Sequence, residues 1–115
     1  MKIKVSEASG PALDWMVAKC EGRHELAPFW VDDDKYGNHI ERPFSPSTDW
    51  AQGGPIISRE CISIRHWTNV PVVHAYMPDS DWSSDGESAL VAAMRCYVAS
   101  KLGDEVEVPD ELTQG

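Results

Sequence analysis

Residues 47–60 read Ser-Thr-Asp-Trp-Ala-Gln-Gly-Gly-Pro-Ile-Ile-Ser-Arg-Glu, and they lead directly into Cys-Ile-Ser-Ile-Arg-His-Trp at 61–67. Two glycines followed by proline usually interrupt regular structure, because glycine tolerates positive φ and proline fixes φ near the value of a first helical turn. We therefore predict a tight loop that ends in a helical turn over 55–60. The alternation of apolar and polar residues over 61–67 then predicts a half-buried strand.

Three residues of the predicted loop are candidates for binding a ligand or partner: Asp49, Trp50 and Gln52. Loops carry functional residues more often than core elements do, and an exposed tryptophan can serve as a binding platform. The alternative interpretation, which the sequence favours, is that Trp50 folds back over the core while Asp49 or Thr48 binds nearby backbone groups.

The composition indicates a single folded domain of 115 residues, 42% of which are hydrophobic. We assign the domain to 1–108 and expect the acidic tail at 109–115 to fray. Nineteen acidic residues against ten lysines and arginines give a net charge of -9. This charge argues against direct binding to nucleic acid, whose phosphates need basic partners, and makes a basic protein partner easier to accommodate.

The three cysteines, Cys20, Cys61 and Cys96, lie far apart and form no C-x-x-C pair. This arrangement fits a reducing compartment better than a disulfide framework, so we interpret them mainly as small core residues. The sequence contains neither the apolar core of a secretion signal nor a run of membrane-spanning length, which predicts a soluble cytosolic protein without membrane contact. No motif in it predicts a cofactor.

Periodicity along the chain predicts an α+β fold. The predicted elements begin with an edge strand over 2–5, a helix that Ser9 caps and Gly22 ends, and an extended segment over 26–31. A strand over 72–77 is expected to form a hairpin with 61–67. A long helix then starts at a capping box formed by Ser84 and Glu87, with Asp85 as a rival cap, and ends at Gly103. The two helices are expected to cover one face of a small, mainly antiparallel sheet around the central hairpin. The other face is expected to be partly open, which makes a homodimer reasonable.

The tail from residue 104 onward holds five of the nineteen acidic residues and no compensating base. Val106 and Val108 alternate with acids there, so the first half of the tail can dock as an extended segment.

Three sequence blocks resemble a family of small phage and prophage proteins that includes NinX. They are residues 12–22, the Ser-Pro-Ser-Thr-Asp-Trp-Ala-Gln-Gly-Gly-Pro-Ile-Ile stretch within 44–57, and residues 92–106, and together they span about half of the chain in the family's order. Segments 23–43 and 65–85 match nothing in that pattern, and Cys61 stands where we expect a small turn residue. The resemblance implies a phage origin and a place in the host cytoplasm, and it transfers no catalytic residue.

Three functions from different classes are compatible with the sequence. The favoured one is a non-enzymatic interaction module that docks on a host or phage protein, with Trp50, Trp67 and Trp82 as aromatic anchors. The second is an acidic mimic of nucleic acid that inhibits a host defence or nucleic-acid enzyme. The acids that would stand in for phosphates are Asp79, Asp81, Asp85, Glu87, Asp104, Glu105 and Glu107.

The third and weakest is a metal-dependent hydrolase. It would use His66 and His74, if the hairpin places them on one face with Cys61 or Asp79 nearby. Three or four converging ligands are needed, and no metal-binding spacing supports them, so ordinary surface histidines are the favoured interpretation and no metal site is assigned.

Overall fold

The computed structural model describes residues 1–22, 29–33, 39–43, 45–66, 69–78 and 80–109, with the backbone alone described for 29–33 and 39–43. Trp67, Asp79 and the tail from residue 110 onward lie outside the described residues. The strands are β1 (Lys2–Lys4), β2 (Phe29–Asp33), β3 (His39–Pro43), β4 (Ser63–His66), β5 (Val73–Tyr76), β6 (Ser83–Gly86) and β7 (Glu105–Glu107). The helices are α1 (Gly10–Cys20), α2 (Trp50–Arg59) and α3 (Ala89–Leu102), with a 3₁₀ turn at Val5–Glu7.

Helix α3 forms the centre of the fold. It packs against β4, β5 and β6 and against both other helices. Its large apolar residues at helical spacing were predicted, but its small residues Ala92, Ala93, Cys96 and Ala99 are buried as well. A helix that is apolar nearly all round belongs inside a domain. Helices α1 and α2 pack on α3, and α3 packs on the sheet, so the predicted helical cover of the sheet is found in part, with α3 as the helix in direct contact.

The described strands form three small antiparallel sheets instead of one. Their orders are β1-β7, β2-β3 and β4-β5-β6. The hairpin of β4 and β5 was predicted, and Val73 and Ala75 face the core as expected of alternate positions in a strand. The opposite face carries Tyr76, which is exposed, in agreement with the expectation that this side is partly open. The α+β class is confirmed.

The start of α3 differs from the prediction. Residues 83–86 form β6, which pairs with β5, so Ser84 and Asp85 lie in a strand and Glu87 follows it. Ser88 caps the helix, and its Oγ accepts a hydrogen bond from the backbone N–H of Val91 at 3.2 Å. Sequence spacing matched a capping box four residues too early because a short polar strand has no apolar alternation by which it can be recognised.

Gly86 explains how β6 can lie so close to α3. A Cβ on Gly86 would lie 2.6 Å from the backbone nitrogen of Ala92, so only glycine lets β6 approach α3 this closely. Gly53 has the same role in α2, where a Cβ would lie 2.4 Å from the carbonyl oxygen of Pro46 and 2.6 Å from Cδ2 of Leu90.

Helix α2 is longer than predicted and begins at Trp50. The two glycines are therefore helical, and Pro55 lies inside the helix, where it removes one i→i−4 hydrogen bond. The interpretation of Asp49, Trp50 and Gln52 as loop residues was wrong for the last two, while Asp49 is the N-cap. Glycine lowers the helix propensity of this segment, but the close contact at position 53 leaves no room for a side chain.

Residues 104–108 return to the start of the chain. Strand β7 pairs antiparallel with β1, and Val106 and Val108 are buried, as expected of a docked extended segment. The register places Glu107 opposite Lys2 and Glu105 opposite Lys4. The tail itself holds no basic residue, and the lysines opposite its acids come from the other end of the chain.

Candidate interaction surface

Trp50 is the most exposed aromatic residue among the large hydrophobic side chains of the described chain, with 57% of its surface accessible. It occupies the first position of α2, and a Cβ on Gly54 would lie 3.7 Å from Cε3 of its indole. The Cε3 edge of the ring therefore lies near Gly54, while more than half of the side chain is exposed. This differs from the favoured sequence interpretation, in which Trp50 closes over the core.

A cleft of about 510 Å³ lies beside this indole, between the N-terminal ends of α2 and α3. Its walls combine one aromatic ring, hydroxyl groups, one carboxylate and small apolar side chains. The lining residues are Ser47, Thr48, Trp50, Glu87, Ser88, Ala89, Leu90 and Val91. Clefts of this size with a few polar groups among apolar ones are the usual form of binding sites in proteins.

Asp49 and Gln52 hold the segment that enters α2. Oδ1 of Asp49 accepts a hydrogen bond from the backbone N–H of Ala51 at 3.0 Å, and its Oδ2 accepts one from Nε2 of Gln52 at 3.0 Å. Oε1 of the buried Gln52 accepts the backbone N–H of Ser45 at 2.8 Å. These contacts fix the direction in which α2 starts, and so the position of Trp50.

Asp14 fixes the same segment to α1. Its Oδ1 accepts the backbone N–H of Ser47 at 2.9 Å, and both residues are buried. Burial raises the pKa of the Asp14 carboxyl above its usual value, and the hydrogen bonding from Ser47 offsets part of that rise. One wall of the cleft is thus attached to the core by a buried polar contact.

Trp82 lies away from the cleft. It is, with Trp50, one of the two proposed anchors that the structure describes. It directly precedes β6, is 36% exposed, and its carbonyl accepts the backbone N–H of Met77 at 3.1 Å. Glu87 and Ser88 of the cleft follow the other end of β6, about 13 Å further along a four-residue strand. The structure therefore separates Trp50 from Trp82, and Trp67 lies outside the described residues.

The described candidate acidic residues lie in two segments of the chain, which meet at a pocket lined by Ser83, Ser84, Asp104 and Glu105. Asp81, Asp85 and Glu87 lie in and around β6, and Asp104, Glu105 and Glu107 lie in and before β7. The carboxylate of Asp85 contacts Nδ1 of His74 at 2.6 Å, and that of Glu107 contacts the N-terminal amine at 2.8 Å. Asp79 lies outside the described residues.

The two candidate metal ligands do not converge. Strand register pairs His74 with Arg65, whereas His66 pairs with Val73. Because neighbouring residues of a strand point to opposite faces, His66 and His74 lie on opposite sides of the sheet, and the expectation that they share a face was wrong. Within the described ranges no three histidine, cysteine or acidic side chains are grouped so that they can hold a metal ion.

The cysteines occupy three different environments. Cys96 is buried and Cys20 half-buried, and burial raises the pKa of the Cys96 thiol to about 11 and that of Cys20 to about 12. Cys61 is exposed at the turn after α2, with φ at 56°. The interpretation as core residues therefore holds for the helical Cys96 and in part for Cys20, whereas Cys61 lies in a turn, where a small turn residue was expected.

Sequence reasoning missed the hydroxyl residues of the cleft, Thr48 and Ser88. Each lies next to the start of a helix that was predicted with the wrong boundary. Such a cleft is expected where two helices start on the same side of a domain. Predicting it therefore requires that both N-caps are identified correctly.

The fold and the cleft define a small α+β protein with an open surface groove. A model of the protein family described as "Bacteriophage P22, NinX" matches residues 4–101. The chain therefore belongs to the NinX family of bacteriophage proteins, as the three sequence blocks indicated. Comparison with curated proteins gives no match. None of the helices within the described ranges has the length and apolar character needed to cross a bilayer.

Proposed function

We propose that this phage protein acts in the host cytoplasm as a non-enzymatic interaction module, and that it docks on a host or phage protein through Trp50 and the adjacent cleft. The observation that carries the proposal is the 57% exposure of an indole on a helix that is otherwise fixed to the core. Tryptophan is enriched among the residues that dominate binding energy at protein interfaces, because one ring brings a large contact area with few rotatable bonds.

The surroundings of Trp50 favour binding because they are already ordered. The Asp49 cap, the bond from Ser47 to Asp14 and the tight contact of Gly53 with Pro46 each restrict the start of α2. A backbone segment that is already fixed loses little conformational entropy when a partner docks on it.

The acidic mimic of nucleic acid receives less support. Glu105 and Glu107 lie opposite Lys4 and Lys2 of β1, and Asp85 contacts His74, so three of the six described candidate acids have a basic residue beside them. A phosphate mimic needs a row of uncompensated charge, because steering of a basic partner depends on the summed field. The hydrolase has no supporting arrangement of His66 and His74.

The test is capture of a partner from host lysate by the tagged protein, with three baits compared: the unaltered chain, Trp50→Ala and Trp82→Ala. We expect Trp82→Ala to retain a near-stoichiometric partner and Trp50→Ala to lose it. Far-ultraviolet circular dichroism and thermal unfolding of each bait check that both variants are folded. Equal capture by all three folded baits would rule out Trp50 as the anchor.

A second readout locates the contact. A photoreactive p-benzoylphenylalanine at position 48 in the cleft should form a covalent adduct with the captured partner, whereas the same group at position 81, beyond the other end of β6, should not. Elution with salt separates this proposal from the acidic mimic, because the aromatic contact survives high salt and a charge-driven complex dissociates.

A further inference from the structure

We propose that the Trp50 cleft receives a cationic side chain, arginine or lysine, which the docked protein presents between the indole of Trp50 and the carboxylate of Glu87. This inference rests on the proposed function and specifies the chemistry of the partner. Both groups line the same cleft, and both are exposed.

The indole supplies one half of the site. The ring lines the cleft and is 57% exposed, while its Cε3 lies near Gly54. The face of an indole carries negative quadrupole charge and is the best aromatic partner for a cation within about 6 Å of the ring centre.

The carboxylate of Glu87 supplies the other half. Among the described residues, the cleft lining contains no lysine or arginine that would neutralise it. Arg95 of α3 donates from Nε to the carbonyl of Ala8 at 2.7 Å and from Nη1 to the carbonyl of Asp85 at 2.9 Å. Arg95 is thus held by backbone carbonyls, although its charge is close enough to interact with Glu87.

The two helix starts favour an anion, so the balance of charge has to be weighed. Each helix N-terminus is equivalent to about +0.5 elementary charge, or about +1 for α2 and α3 together. The carboxylates of Asp49 and Glu87 contribute two full negative charges at the same ends, and the Asp49 carboxylate is already the cap of α2. The positive charge of Arg95, which interacts with Glu87, brings the local sum close to zero. The net charge of -9 on the whole chain then favours a cation over an anion.

The size and the hydroxyl groups also suit this occupant. A cleft of about 510 Å³ is large enough for a long basic side chain together with the neighbouring atoms of its backbone. Thr48 and Ser88 offer hydroxyl oxygens, which can accept hydrogen bonds from a guanidinium or ammonium group. The apolar Ala89 and Leu90 can cover the aliphatic stem of such a side chain.

The experiment follows the indole N–H signals of the isotopically labelled protein by NMR while capped pentapeptides Gly-Ser-Xaa-Ser-Gly are added. Xaa is arginine, lysine, glutamate or citrulline, the last being an uncharged analogue of arginine with nearly the same shape. The Trp50 signal is identified by its loss in Trp50→Phe. We expect the arginine and lysine peptides to shift this signal saturably, the citrulline peptide to bind about tenfold more weakly and the glutamate peptide to leave it unmoved.

The variant Glu87→Gln should weaken binding of the arginine peptide and reduce its advantage over citrulline. The matched variant Asp81→Asn removes an exposed carboxylate outside the cleft and should change neither. Equal binding of the arginine and citrulline peptides, tightest binding of the glutamate peptide, or an unmoved Trp50 signal at millimolar peptide would each overturn the inference.

The failure of this inference can be distinguished from the failure of the proposed function. If Trp50→Ala loses the captured partner while arginine and citrulline peptides bind alike, docking at Trp50 stands and the cationic occupant is rejected. If Trp50→Ala captures the partner normally, the proposed function is rejected whatever the peptides do.

Discussion

The guanidinium of Arg59 donates to both carboxylate oxygens of Glu21, from Nη1 at 3.0 Å and from Nη2 at 2.7 Å. Glu21 is the C-cap of α1 and Arg59 is the last residue of α2, so this pair joins the ends of two helices. The hydroxyl of the buried Tyr97 in α3 donates to the same carboxylate and accepts from Nη2 of Arg59 at 3.2 Å. One ion pair therefore links all three helices.

The first prediction concerns the strength of this link. A double-mutant cycle of Arg59→Met and Glu21→Gln should give a coupling free energy of about 1 kcal/mol, at the upper end for pairs that are partly exposed to water. The reason is the bidentate geometry together with the shared hydroxyl of Tyr97. The measurement is the free energy of unfolding in urea for the four proteins of the cycle.

A matched cycle of Arg59→Met with Asp81→Asn provides the control, since the structure records no contact between those residues and their effects should add. Additive effects in the Arg59 and Glu21 cycle as well would mean that the ion pair contributes nothing measurable to stability.

The second prediction separates the two adjacent glycines of α2. Gly53→Ala should lower the free energy of unfolding by about 1–3 kcal/mol, because its Cβ would lie 2.4 Å from the backbone oxygen of Pro46. Gly54→Ala should change it by less than about 1 kcal/mol, because its Cβ would lie 3.7 Å from Cε3 of Trp50 and the helix propensity of alanine is offset by crowding of that Cβ against the ring of Pro55.

Urea unfolding of both variants checks this pair. The two substitutions are chemically identical and occupy neighbouring helical positions, so helix propensity alone predicts equal effects. Equal stabilisation would show that α2 does not approach Pro46 and Leu90 as closely as described.

The sequence was informative where local patterns decide the structure. The extent of α1, the large apolar residues and the end of α3, the pairing of β4 with β5 and the docking of Val106 and Val108 each follow from periodicity that the chain itself carries. These elements were predicted because burial of one face leaves a regular trace in the order of the residues.

The remaining features depend on contacts between distant segments. Gly53 is helical because of Pro46 and Leu90, and nothing in the local pattern distinguishes it from a loop glycine. The bond from Ser47 to Asp14 and the ion pair of Arg59 with Glu21 join residues more than thirty positions apart. The cleft beside Trp50 follows from those contacts, so its walls could not be predicted from the sequence.

The third prediction concerns the buried carboxyl of Asp14, whose pKa burial raises above its usual value near 3.8. Below that value the group is protonated in both the folded and the unfolded chain. As the pH rises from there to the raised folded pKa, the unfolded chain releases its proton first. The folded state then binds more protons, and the free energy of unfolding falls with rising pH.

In Asp14→Asn the free energy of unfolding should not show this fall with rising pH, because an amide does not titrate. Its oxygen can still accept the backbone N–H of Ser47. We expect the difference in unfolding free energy between the two proteins, measured at intervals from pH 3 to pH 7 (roughly the carboxyl titration range), to shift in favour of the variant as the pH increases. The other carboxylates are common to both proteins and cancel in the difference. A difference that does not vary with pH would show that Asp14 keeps an ordinary pKa.

The fourth prediction concerns Cys61, which has a φ of 56° at the turn between α2 and β4. This left-handed conformation is strained for a residue with a Cβ and unstrained for glycine. Cys61→Gly should therefore raise the free energy of unfolding by about 0.5–1 kcal/mol, and Cys61→Val, with its branched Cβ, should lower it.

Gly22→Ala is the reciprocal control: Gly22 has a φ of 74° with nothing within 4 Å of an added Cβ, so any loss there reports the backbone alone. If Cys61→Gly destabilises the protein while Gly22→Ala has the expected cost, the turn at Cys61 depends on its side chain and not on its backbone conformation.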